Sequence, residues 1–233
     1  MKYCIVEIKS QTATFRNAEF QNFHKTLTLP PPTTLIGLAG AALGLSPKKA
    51  QDYFYEEKCQ LGVYGKSGGL AKDLWKYNDF KTRSIILREI LFKNHFFCAF
   101  GIESTEKITQ LGEAFLNPKY ALTMGNSDSL AKVVRVIYLN NTSICDLIEN
   151  CIVEGDIISE VLDQAAIDPK FSIYQTSEPI AIDIPVRFSY NGDYGMRNVI
   201  KRKTLSFISK SMQLNLNKNG LAYDGHFIPL INL

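Results

Sequence analysis

Along this chain, apolar and polar positions follow two periods, and the switches between them mark out its elements. Lys2 to Lys9 is β-branched and aromatic with apolar residues at both parities, the pattern of a strand covered on both faces. Ser10 to Leu29 has no clear period. Pro30, Pro31 and Pro32 then hold the backbone extended, because each ring fixes φ and removes a donor. Leu35 to Leu43 holds only apolar or very small residues, so it predicts a helix buried nearly all round, with Thr33 or Thr34 as its N-cap. Ser46-Pro47 opens a second helix that runs through Glu57. Cys59 to Tyr64 reads as a strand, and Gly65 to Phe80 as a basic, glycine-rich protrusion. Arg83 to Phe92 reads as a hairpin arm and His95 to Ile102 as an apolar strand. Ser104 caps a helix over Glu106–Leu116, which Asn117-Pro118 ends. Tyr120 to Met124 predicts a short strand, Gly125 to Ser129 a turn, and Lys132 to Leu139 a strand.

This order predicts an α+β fold, ferredoxin-like βαββαβ, the architecture of RNA-recognition modules. It spans residues 1–140, with a hairpin insertion near 61–92. Residues 141–233 form an acidic connecting segment and a small β-rich part. In that part Ile180 to Tyr190 alternates, and Asn191-Gly192-Asp193 turns into the basic stretch Arg197 to Lys210. Met212–Leu216 and Leu221–Ile228 form a hairpin around Asn219-Gly220.

Totals add little until they are distributed. A chain of 233 residues with 45% hydrophobic content builds a real core. The net charge is only +3, yet Val136 to Pro169 carries seven acids and no base, which leaves 26 basic against 16 acidic residues elsewhere. The body is therefore basic, and a basic body attracts polyanions, although ordinary surface charge explains the same count. Five cysteines without CxxC spacing read as packed, reduced thiols of a cytoplasmic protein. Met1 to Ile8 lacks the long apolar core of a signal peptide, and no stretch is suited to span a bilayer, so no membrane role is expected.

The chemistry is selective in what it excludes. Gly62 to Ser67 resembles the end of a P-loop, but Gln60 stands where that motif needs its first glycine. No GxSxG elbow is present. His24, His95 and His226 show no metal-ligand spacing, and no metal or cofactor is implied. His95 reads as a core histidine. His24 lies in the aperiodic loop and is the one weak candidate for general acid–base work. That loop interleaves Phe15, Arg16, Asn17 and Lys25, residue types that stack on bases and pair with phosphates, or pin a loop to its body. The start of a helix after a stiff loop is anion-friendly, which adds Pro31, Pro32, Thr33 and Thr34.

Phe15-Arg16, then Leu29-Pro30-Pro31-Pro32-Thr33-Thr34-Leu35-Ile36-Gly37-Leu38-Ala39-Gly40-Ala41-Ala42-Leu43-Gly44, resembles the N-terminal signature of the CRISPR-associated protein 5 family. That family supplies the RAMP-type subunit of type I Cascade complexes. Arg88-Glu89-Ile90-Leu91 and the run from Leu116 to Ser127 are similar to its later blocks, although Asn126 stands where the family has a basic residue. The resemblance covers about residues 1–140. It implies a ferredoxin-like body with a β-hairpin thumb, a non-catalytic RNA-binding role, and assembly with the Cascade backbone and large subunits. It implies that the protein holds the 5′ handle of CRISPR RNA (crRNA), nucleates assembly and meets target DNA through the complex. On this reading Phe15 stacks, while Arg16, Asn17, Lys25, Pro31–Thr34 and Ser127 hold RNA. Lys66, Lys72, Arg83 and Arg88 grip the backbone along the thumb, and Lys201, Arg202 and Lys203 form a second basic strip. The alternative is a metal-independent endoribonuclease cutting repeat RNA, with His24, Lys25 and a tyrosine such as Tyr3 or Tyr190.

Overall fold

The computed structural model describes residues 1–20, 23–78, 83–157, 159, 180–209 and 212–233. Glu160, Asp163 and Asp168, three of the seven acids, and Lys210 lie outside the described residues, as do Phe80 and the side chains of Arg83 and Asp146. Strand β1 is Lys2–Ala13 and β2 the short Phe23–His24. Helix α1 is Pro32–Leu43 and α2 is Pro47–Glu56. Strands β3 (Gln60–Lys66), β4 (Gly69–Asn78) and β5 (Arg83–Ile102) precede helix α3, Thr105–Leu116. Then come β6 (Ala131–Leu139), β7 (Ser143–Ile148), β8 (Cys151–Glu154), β9 (Ile180–Tyr190), β10 (Arg197–Ile208), β11 (Met212–Tyr223), β12 (His226–Pro229) and β13 (Ile231–Asn232).

The architecture is α+β. One mostly antiparallel sheet runs in the order β6-β1-β5-β3-β8-β10-β9, and a three-stranded sheet runs β12-β11-β7. The connection from β1 to β3 carries α1 and α2, and that from β5 to β6 carries α3. β1 lies between the helices and the small sheet, which explains its apolar residues at both parities. Cys4, Val6 and Ile8 pack under the helices with Phe54, Ile108, Leu111 and Phe115. Tyr3 and Ile5 point the other way, onto Leu221 and Ile228 of the small sheet. The large sheet continues through β8, β10 and β9, so residues on either side of position 140 share one core.

Ser46 and Ser104 cap α2 and α3, each oxygen accepting from the N–H three residues on. α1 departs from expectation. Its N-cap is Pro31, with no side-chain cap, and Thr33 and Thr34 stand inside the first turn. Pro32 takes the first helical position, where its missing N–H costs nothing and its φ already fits.

Four further readings are corrected. The stretch read as a protrusion is mostly paired strand over its described part, 65–78: β3 and β4 together run antiparallel to one long β5, from Gln60↔Gly101 to Asn78↔Arg83. The break is confined to Ser67 and Gly68, opposite Lys93 at φ 53°, and β5 passes through it. Tyr120 to Met124 is not a strand. Lys119 and Tyr120 spend their N–H groups on the terminal carbonyls of α1, Ala42 at 3.0 Å and Ala41 at 3.1 Å. The last hairpin turns at Asp224-Gly225, with φ 50° and 74°, instead of at Asn219-Gly220. This register sets Leu221 opposite Ile228, both buried, whereas the other turn puts Leu221 beside Lys218. Finally, His95 is no core residue: 38% of its side chain is exposed, and its Nε2 lies 2.8 Å from Glu7.

Among the described residues, no helix is long and apolar enough to cross a membrane. All five cysteines are free, and burial pushes the thiols of Cys4, Cys59 and Cys98 up to about 12.

Candidate nucleic-acid interface

The aperiodic stretch after β1 is built by side-chain hydrogen bonds. Thr26 Oγ1 accepts from Phe15 N–H at 2.8 Å, and the buried carboxylate of Glu89 accepts from Thr26 N–H at 3.1 Å. Leu27 N–H donates to Phe15 O and Asn17 N–H to Lys25 O, so residues 15–17 run against 25–27. β2 then pairs parallel with β5, His24 beside Arg88. Thr26 and Glu89 organise this fold-back, and sequence reasoning missed both. Their only sequence signal is an acid that stands among the apolar residues of β5.

This pairing sorts the sequence-predicted residues. Phe15 is 2% exposed and meets Phe96 edge-on at 5.8 Å, so it offers no face to a base. Its burial fixes the loop, worth about 2 kcal/mol by the usual area scale. Asn17 is buried, and its Oδ1 accepts from Glu19 N–H at 3.0 Å. Arg16, between them, is exposed. Arg88 is no free cation. Its guanidinium is buried, bonds Asp73 and Asp128 at 2.9 Å each, and lies 5.3 Å over the Trp75 ring. It ties β4 and β5 to the turn after α3. Ser127 is exposed in that turn. The turn's Gly125, at φ 96°, is required because a Cβ there meets Thr14 O at 1.8 Å. Gly65 is required likewise, with a Cβ 2.3 Å from His95 O, so the P-loop-like run is strand geometry.

The second basic strip divides. Lys203 is held by Glu154 at 2.6 Å and by Asn232 O at 2.5 Å, so it does not serve as a free contact. Arg202 donates to Asp183 O at 3.1 Å, and Lys201 lies 5.9 Å over the Tyr55 ring. Arg197, outside the predicted set, is the base that reaches the loop. It stacks on Phe188 at 4.6 Å and lines a cavity of about 120 Å³ with Arg16, Pro31 and Thr33. That cavity sits at the start of α1, whose first turn carries no acid. Asp183 also lines it, but its carboxylate accepts from Thr204 at 2.6 Å.

From there the depression continues. Asn17 and Leu27 lead into a cavity of about 380 Å³ beside Phe20, Lys25 and Thr28, with the Lys25 ammonium 5.2 Å over the Phe20 ring. Thr28, Leu70 and Leu91 carry it on into one of about 400 Å³ that ends at Lys66, Ser67 and Ser209. A groove therefore runs from Arg197 past the α1 N-terminus to the junction of β3 and β4, with Arg16, Lys25 and Lys66 along it. Lys72 stands beyond its rim, 5.9 Å over the Phe23 ring. Cations backed by aromatic faces, beside a helix start, suit a phosphodiester strand.

His24 is buried against Trp75, with ring centroids 5.7 Å apart. Burial first, then Arg16 and Arg88, holds its imidazole below the ordinary histidine range. Tyr3 is far from it: Tyr3 pairs with Gly101 of β5 and His24 with Arg88, about 40 Å apart along that strand. The Tyr3 hydroxyl donates to Gln60 instead.

No family model matches the chain, and no curated protein matches its sequence. Among solved structures, a chain of a "CRISPR RNA-guided surveillance complex" superposes on 92% of this chain and 91% of its own, at TM-score 0.55 and 10% identity. A CRISPR protein from Archaeoglobus fulgidus covers 100% of both chains at TM-score 0.42 and 14% identity. A chain of the Type III-B Cmr-beta complex bound to cognate target RNA and AMPPnP covers 91% of this chain and 85% of its own, at TM-score 0.44 and 11% identity. The protein thus shares its fold with a chain of a CRISPR surveillance complex.

Proposed function

We propose that the protein is the RNA-binding, RAMP-type subunit of a type I CRISPR effector complex, similar to the CRISPR-associated protein 5 family. In this role it holds the 5′ handle of crRNA and nucleates assembly for DNA interference. The observation that carries the proposal is the groove, a continuous path lined by Arg197, Arg16, Lys25 and Lys66 past the open start of α1. The order β6-β1-β5-β3, with helices in the two connections named above, supports reading residues 1–140 as a ferredoxin-like body. The outer half of the β4–β5 hairpin is its thumb. Residues 141–233 then form the β-rich part whose Arg197 and Phe188 wall the groove.

Each groove cation meets a phosphate, and the start of α1, with no acid in its first turn, receives one more. The half-buried Thr28 and Ser67 and the exposed ring of Phe20 meet splayed bases. Contacts to backbone and supporting subunits fall to the thumb and the outer sheet edges.

The test is reconstitution of the effector complex with and without this chain, followed by nuclease digestion of the bound guide. Protection of the 5′ handle is expected only when the chain is present. Full protection without it overturns the proposal. The endoribonuclease alternative has His24 as its base, and the ring lies among Trp75, Arg16 and Arg88. Intact repeat RNA after incubation with the purified protein in EDTA removes that alternative.

A further inference from the structure

The face of the large sheet turned away from the helices is half covered. The small sheet seals Tyr3, Ile5 and Ala99, and toward the thumb the cover stops. There the register lines up four basic side chains in one row across four strands. Lys132 of β6 pairs with Lys9 of β1, Lys9 with His95 of β5, and His95 with Lys66 of β3. Residues directly opposite in neighbouring strands share a face, so all four point the same way. Three strand gaps of about 4.8 Å spread them over about 14 Å. Lys9, Lys66 and Lys132 are exposed, and none has an ion-pair partner among the described residues.

Beneath this row lies a second, Arg135-Glu7-Phe97-Tyr64. Its one acid is already neutralised: Glu7 is 5% exposed, with His95 at 2.8 Å and Arg135 at 2.5 Å. Half-buried rings border the row. His226 stacks on Tyr64 at 4.2 Å and 19°, and Tyr223 carries the Arg135 guanidinium 5.6 Å over its ring. Asp224 and Glu149 are the acids on that border, and Glu149 accepts from the Tyr64 hydroxyl at 3.4 Å. A buried carboxylate held by an arginine and a histidine is structure; the exposed lysines beside it are not needed for it. The row is one cation deep, which fits one phosphate backbone and not the two of a duplex.

We propose that this row, which meets the groove at Lys66, is a second binding strip for single-stranded nucleic acid. Lys132, Lys9 and Lys66 take phosphates, and Tyr223 and His226 offer edges to the adjoining bases. Lys66 stands at both the groove's end and the strip, so a long strand passes from one to the other around the base of the thumb. The strip does not rest on the groove's assignment, since its lysines, apart from Lys66, lie outside the groove.

The test uses the full chain and fluorescence anisotropy with labelled oligo(U) and oligo(dT) of about 10 and about 40 nucleotides, over a range of salt. The variants are Lys9→Glu with Lys132→Glu, Lys9→Gln with Lys132→Gln, and Arg16→Glu with Lys25→Glu. The first pair is expected to weaken the 40-mer tenfold or more. It should also lower the salt slope by about 1.4, from about 0.7 for each lost phosphate contact. The glutamine pair, checked for unchanged thermal unfolding, should give a smaller loss in the same direction. Equal loss for both polymers marks backbone recognition, and loss for oligo(U) alone marks 2′-hydroxyl contacts. Unchanged affinity and slope for both polymers overturn the strip. A null result for the groove pair with a loss for the strip pair overturns the groove reading alone.

Discussion

At the scale of single residues, charge in this protein divides between cations spent on the fold and cations left for a ligand. Arg88 and Lys203 belong to the first kind, Lys66 to the second, although all three looked alike in the sequence. Arg88→Ala removes two charge-assisted bonds from a buried guanidinium. The two carboxylates it leaves are half-exposed, so the cost is expected near 2–3 kcal/mol, a fall of about 5–10 °C in Tm. Lys66→Ala is expected to leave Tm nearly unchanged and to weaken RNA binding instead. Thermal melts beside binding titrations check both; equal loss of Tm in the two variants contradicts the division. His24 gives a pH test. Its folded pKa lies below the unfolded value near 6.5, so the unfolded chain binds more protons as pH falls through that value. Stability is therefore expected to fall from about pH 6.5 downward toward the folded pKa, and His24→Asn is expected to flatten that part of the curve in urea titrations. None of this division was legible in the sequence, because it depends on which acid ends up beside which base. Arg88 meets Asp128 from 40 positions away.

At the scale of elements, the edge strand β9 shows how α2 serves the groove. Gln51 mimics a neighbouring strand: its Nε2 donates to Phe188 O and its Oε1 accepts from Phe188 N–H, both at 2.8 Å. The Tyr55 hydroxyl donates to Val186 O at 2.9 Å. An edge satisfied this way resists pairing with another chain, and it holds Phe188 where Arg197 stacks on it. Gln51→Ala leaves a backbone N–H and C=O without partners, a cost of about 2 kcal/mol. Faster hydrogen exchange at Phe188 and a Tm lower by about 4–8 °C are expected; unchanged exchange contradicts this role. The helices were legible because Ser46, Pro47 and Ser104 act locally, within one turn of chain. The turn at Asp224-Gly225 was not, because Asn219-Gly220 satisfies the same local rule. The buried pair Leu221 and Ile228 decides between them, and that pair exists only after folding. Thr26 and Glu89 escaped notice for the same reason, being 63 residues apart.

At the scale of the whole molecule, a weak net charge conceals a basic path, because acids and bases occupy different places in the fold. Glu7, Glu89, Asp128 and Glu154 are consumed by internal bonds, while Arg16, Lys25, Lys66 and Arg197 line one groove. The wall at Phe188 and Arg197 comes from the half of the chain that the sequence could not place, which is why half of the site was invisible there. The measurement that tests the central claim most directly is the salt dependence of binding to repeat-derived 5′-handle RNA. The native chain is compared with the triple variant Arg16→Glu, Lys25→Glu and Arg197→Glu. Loss of affinity by two orders of magnitude or more is expected, with the slope of log K against log salt reduced by about 2. Equal affinity and equal slope in the two proteins contradict the groove as the site that holds RNA.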